Sequence, residues 1–208
     1  MRVRSLLFTL SVFILIMSCQ TEKEKLPIYG EREAVETENG TDTLYHTIGS
    51  FELLNQDSAT VSDKDFDDKI YIADFFFTNC PTICPTTQRN LLSVYKEFKN
   101  DDRIAFLSHS VDFKYDSPSV LKAYAKNLGV EGTQWQFLSG TKSEIYGLSD
   151  DYLVFVEEDE NAPGGYEHQG YFVLVDKEKR IRGAYDGTDM LQVKKLIKDI
   201  PLLLDEYK

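Results

Sequence analysis

Two cysteines stand at CxxxC spacing in Phe77-Thr78-Asn79-Cys80-Pro81-Thr82-Ile83-Cys84-Pro85, directly after the apolar run Ile70 to Phe77. The run is of the buried-strand kind, and Pro85 suits the first turn of a following helix. At the start of a helix, backbone N–H groups and the dipole favour a thiolate over a thiol. If the intervening turn is helical, residues four apart share a face, so both sulfurs can address one ion. They can also close a disulfide if their Cα atoms come within about 7 Å. Two sulfurs leave a metal site incomplete. The best available third ligand is His168, just ahead of the strand Gly170 to Val175. Two soft sulfurs and one imidazole suit copper as Cu(I) or Cu(II), whereas zinc usually takes a fourth ligand. The bland alternative for Cys80 and Cys84 is a structural disulfide, which a domain this size does not need. Of the remaining histidines, His109 sits inside an apolar strand and reads as packed. His46 lies at the edge of a polar segment and reads the same way, as no ligand.

The elements around these residues alternate. A hairpin over Phe51 to Ser62 turns at Asn55-Gln56-Asp57-Ser58. After the cysteine helix come a strand over Arg103 to Val111 and a helix opened by Ser117-Pro118 and stopped by Gly129. A strand at Trp135 to Leu138 follows, then a short helix begun by the capping box Thr141 to Glu144. A strand is expected over Tyr152 to Val156, then an acidic loop over Glu157 to Glu167. The chain closes with a hairpin, Gly170 to Val175 and Arg180 to Tyr185, and a helix over Met190 to Leu204. This order predicts an α/β fold: a thioredoxin-like three-layer sandwich with an N-terminal β-hairpin and a C-terminal helix.

Residues 1–18 read as an export leader, with Arg2 and Arg4 ahead of the apolar run Leu6 to Met17. The run falls short of the ~20 apolar residues that span a bilayer. Cys19 after Ile16-Met17-Ser18 has the look of a lipobox, which predicts an acylated N-terminus and membrane attachment. Residues 19–46 are polar, carry Pro27, Gly30 and Gly40, and read as a flexible acidic tether with a reach of roughly 30 Å. The folded domain is expected over 47–208. The net charge is −12, or −14 once Arg2 and Arg4 are removed with the leader. No basic cluster exists to bind nucleic acid.

The segment Phe77 to Pro85 resembles the F-T-x-C-P-x-x-C-P signature of the SCO/SenC proteins. Ser110-Val111-Asp112 followed by Ser117-Pro118 is similar to that family's S-V-D-P-x-x-D-x-P turn. His168 ahead of Tyr171-Phe172-Val173-Leu174-Val175-Asp176 resembles its ligand histidine. Phe113 stands where the family usually has proline, and Lys177-Glu178-Lys179 replaces the usual Pro-Asp-Gly. The resemblance covers roughly residues 46 to 204. It implies copper held by Cys80, Cys84 and His168, a client in the copper-bearing subunit of cytochrome c oxidase, and a domain in the periplasm on a membrane anchor. A second activity stays open: Cys80 and Cys84 as the redox pair of a thiol–disulfide oxidoreductase acting on client copper-site cysteines. A peroxidase would want a Thr three residues before its cysteine, and Phe77 and Pro81 stand there instead.

Overall fold

The computed structural model describes residues 25–38 and 40–208. The strands are β1 (Arg32–Thr37), β2 (Gly40–Tyr45), β3 (Glu52–Asn55), β4 (Thr60–Ser62), β5 (Ile70–Phe76), β6 (Ile104–Ser110), β7 (Trp135–Ser139), β8 (Val156–Glu158), β9 (Tyr166–His168), β10 (Tyr171–Val175) and β11 (Ile181–Asp186). The helices are α1 (Cys84–Phe98), α2 (Pro118–Leu128), α3 (Lys142–Asp151) and α4 (Met190–Asp205). Seven strands form the main sheet in the order β11-β10-β5-β6-β7-β3-β4. The pairs β5–β6 and β6–β7 are parallel, and the outer pairs are antiparallel. This is the expected thioredoxin-like arrangement, with β5, the strand that leads into the cysteine loop, held between β10 and β6.

Every residue of β5 and β6 is buried. Their near-continuous apolar runs are what a parallel strand covered on both faces requires. Phe75, Phe76 and Phe77 all lie in this core. Helix α1 packs against α4, and α2 lies on β7. Gly129 ends α2 in the left-handed conformation at φ 80°, where a residue with a Cβ would be strained. The Thr141–Glu144 capping box forms as its sequence predicts.

Two expectations differ from the structure. Residues 32–45, part of the segment read as a tether, form the exposed hairpin β1–β2. The stretch before it is docked. Leu26 is buried, its N–H donates to Glu206 Oε1 at 2.9 Å, and Tyr29 N–H donates to the Ile181 carbonyl at 2.9 Å. Sequence polarity hides this contact because backbone groups and one leucine carry it. The strand expected over Tyr152 to Val156 is the turn that ends α3. Its alternating buried and exposed residues imitate a strand. Instead, the Val154 N–H donates to the Ser149 carbonyl, and Leu153 adopts φ 57°. The strand proper begins at Val156 and pairs with His168.

Candidate metal centre

The cysteine loop is shaped by two turns. The Cys80 N–H reaches the Phe77 carbonyl at 3.3 Å, and the Ile83 carbonyl accepts from Thr86 and Thr87 as α1 begins. Cys84 is thus the first residue of the helix and Cys80 lies in the turn ahead of it. Both thiols are free and buried. The hairpin β8–β9 brings in the third group. His168 ends β9 instead of lying in a loop, paired with Val156, and its ring meets Phe77 edge to face at 5.6 Å.

His168 Nε2 lies 3.4 Å from Cys84 Sγ and 4.0 Å from Cys80 Sγ, and the three donor atoms all fall within 4.8 Å of one another. With metal–sulfur bonds of about 2.3 Å and metal–nitrogen bonds of about 2.0 Å, donors sharing one ion stand roughly 3.5–4 Å apart. The three groups therefore fit a single soft ion without rearrangement of the backbone. Among the described residues they form the one His/Cys/Asp/Glu group so arranged. An open hollow of about 340 Å³ lies beside them, lined by Thr82, Ile83, Pro163, Tyr166 and His168 among others. It opens on the His168 side of the group.

The neighbouring Cys84 thiol pulls the Cys80 thiol down to about 3 against burial, with His168, Thr82 and the Cys84 backbone N–H adding to it. The same contact, together with burial, pushes the Cys84 thiol far up. The two thiols are displaced in opposite directions, Cys80 down and Cys84 up.

Below the sulfurs lies a polar group that sequence reasoning did not single out. Asp74 is buried in β5 and accepts from Gln88 Nε2 and Ser108 Oγ, both at 2.5 Å. Trp135 Nε1 in turn donates to Ser108 Oγ at 2.9 Å. Burial raises the Asp74 carboxyl to about 7 despite these donors. An Asp inside an otherwise apolar strand was the available signal.

The other histidines lie elsewhere. His109 is fully buried, stacked on Phe75 at 5.0 Å, with Nδ1 3.3 Å from the Asp74 carbonyl; burial pulls it down to about 4, so it stays neutral. His46 Nε2 is 2.6 Å from the Asp151 carbonyl oxygen. Cys19, read as the lipid-bearing residue, lies outside the described residues.

A CxxxCP loop converging with a distant histidine on this sheet is what the sequence likeness implies, and the SCO1/SenC family model matches residues 39–204. The chain belongs to the SCO1/SenC family. It is similar to the crystal structure of a SCO1/SenC family lipoprotein from Bacillus anthracis, at 30% identity and a TM-score of 0.70 over 76% of this chain and 95% of that one. BsSco, a member of the Sco family of cytochrome c oxidase assembly proteins in which a disulfide switch was identified, is 29% identical with a TM-score of 0.67, over 76% and 93%. Yeast Sco1 with copper bound is 26% identical with a TM-score of 0.60, over 74% and 88%. The structure brings together Cys80, Cys84 and His168, the residues for which the sequence likeness implies copper.

Proposed function

We propose that this chain is a copper metallochaperone, facing the periplasm on a lipid anchor at Cys19, that delivers copper to the copper-bearing subunit of cytochrome c oxidase. The observation that carries the reading is the convergence of Cys80 Sγ, Cys84 Sγ and His168 Nε2 within 4.8 Å. The copper-bound yeast relative and the assembly role of BsSco support it. The lipoprotein relative supports the anchor. No helix among the described residues is long and apolar enough to cross a membrane.

The pair's charge suits a cargo ion. The Cys80 thiol is held low, which favours the thiolate a soft ion binds, and uptake displaces the proton the pair retains. The hollow beside His168 gives an incoming client thiolate an approach. Release then proceeds by exchange: the client sulfur bonds the ion as one cysteine leaves, and that cysteine takes back a proton.

The free thiols and the depressed Cys80 thiol favour a second reading, a thiol–disulfide oxidoreductase. Cys80 would attack a client disulfide, releasing one client thiolate. Cys84 would then attack Cys80 Sγ, leaving an oxidised Cys80–Cys84 pair and a client dithiol, with the Cys84 proton passing to the departing sulfur.

One set of variants separates the two. Cys80→Ser and Cys84→Ser should each abolish redox exchange and weaken copper binding. His168→Ala should weaken copper binding about 10- to 100-fold and spare thiol exchange. Full copper affinity in His168→Ala, measured by chelator competition, would contradict the ligand set. Mixing the reduced, copper-loaded chain with a reduced copper-free client should show copper transfer. Turnover only with an oxidised client would favour the oxidoreductase.

A further inference from the structure

One short turn grips both of the segments that carry the sulfur and imidazole donors. That turn is Ser110–Asp116, which follows β6. Its start is attached to the end of the cysteine strand by the Val111 N–H, which donates to the Phe76 carbonyl at 2.8 Å. Asp116 accepts from the Thr78 N–H at 2.9 Å and from the Thr78 hydroxyl at 2.5 Å, two residues before Cys80. Ser110 Oγ steadies the same carboxylate at 2.6 Å. Asp112 faces the other loop. Its Oδ1 accepts from the Tyr166 hydroxyl at 3.1 Å and from the turn's own N–H groups at Tyr115 (3.1 Å) and Lys114 (3.3 Å). Both aspartates are buried, at 3% and 2% exposure, so each bond is made in a medium where a lost partner is costly. Tyr166 lies two residues before His168 on β9, hence on the same face of the strand. Its ring also packs on Phe77 at 5.3 Å, and Phe77 in turn meets the His168 ring.

We propose that Asp112 and Asp116 are positioning residues for the metal centre: Asp116 sets the cysteine loop through Thr78, Asp112 sets the histidine hairpin through Tyr166, and the rigid turn between them fixes the sulfur-to-imidazole spacing. The inference rests on the copper reading above. Neither aspartate touches the ion; each acts through the residue it holds. Phe113, which replaces the proline usual at this place in the family, lies between the two aspartates and meets the Tyr166 ring edge-on at 6.4 Å, so it supports the same hairpin.

The test uses the reduced chain, with Cu(II) affinity from chelator competition, nitrogen splitting in the EPR spectrum, and the alkylation rate of Cys80. Tyr166→Phe, which removes one hydroxyl, should weaken copper binding about tenfold and diminish the nitrogen splitting while leaving the alkylation rate unchanged. In a His168→Ala background the same change should have no further effect on affinity, because the hydroxyl acts only through that ring. Asp112→Asn retains an acceptor oxygen and should keep the wild-type spectrum, whereas Asp112→Ala should match Tyr166→Phe. Asp116→Asn should alter Cys80 alkylation as well as copper affinity. Wild-type affinity and splitting in Tyr166→Phe, or an equal loss in both backgrounds, would overturn the proposal and leave these bonds a purely structural role. Failure of the wild-type chain to bind copper through His168 would instead sink the copper reading itself.

Discussion

A buried carboxyl beneath a dithiol has a cost that pH reveals. Asp74 is raised to about 7 from an ordinary value of 3.8, with burial the dominant cause. In the unfolded chain it ionises near pH 4. In the folded chain it holds its proton to about pH 7. The stability associated with the neutral carboxyl is therefore complete below pH 4, declines as pH rises and is gone above 7. The shift corresponds to roughly 4 kcal/mol. The buried Gln88 Oε1 lacks a partner, and a protonated Asp74 could donate to it if the amide turned over. Asp74→Asn should flatten the stability profile between pH 4 and 7 and exceed the wild type at pH 8, as read by denaturant unfolding at pH 5 and pH 8. Parallel profiles for the two proteins would show that Asp74 is already ionised in the fold.

Among the elements, the β8–β9 hairpin matters most, because it carries the imidazole to the sulfurs. Its tip is seated by a glycine. A Cβ on Gly164, at φ 88°, would lie 2.7 Å from Phe77 Cε2 and 3.2 Å from Pro81 Cδ. The hairpin can approach the cysteine loop only because that atom is missing. Gly164→Ala should cost on the order of 1–3 kcal/mol in unfolding free energy and weaken copper binding as the hairpin is pushed off Phe77. Gly165→Ala is the control. It shares the strained φ of 87° but has open space around the added atom, so it should lose stability and keep its copper affinity. Equal copper affinity in both variants would detach the glycine contact from the metal centre.

At the scale of the whole molecule, the chain's entry is fastened at the end of the sheet opposite the donors. Val175 pairs with both Tyr71 and Ile181, at the far end of β5 from Cys80, and it is the Ile181 carbonyl that Tyr29 engages. Arg182, with its side chain 2% exposed, binds Asp176 and Glu206 and donates to the carbonyls of Leu26 at 2.6 Å and Pro27 at 3.0 Å. Removing one member of such a buried ion group strands the other charges, at about 3–5 kcal/mol. Arg182→Met should lower the thermal midpoint and raise hydrogen exchange at residues 26–31 while leaving copper affinity intact. Unchanged exchange there would show that the backbone contacts of Tyr29 suffice to hold the segment.

From the sequence alone came the α/β order and the CxxxC at a strand-to-helix junction, because periodicity and helix caps are local properties; His168 entered as a candidate through ligand chemistry and the family likeness, and the structure brings it to the sulfurs. The Tyr152 to Val156 turn was misread for the same reason: local alternation cannot tell a strand from a turn that dips twice into the core. Only the tertiary structure decided that the Cys80 thiol is pushed down and the Cys84 thiol up, since that depends on how closely the two sulfurs approach and how deeply each is buried. It alone joined Asp112 to Tyr166, Asp116 to Thr78 and Leu26 to Arg182. Those pairs are separated by 54, 38 and 156 residues, and their partners are met only once the sheet has closed.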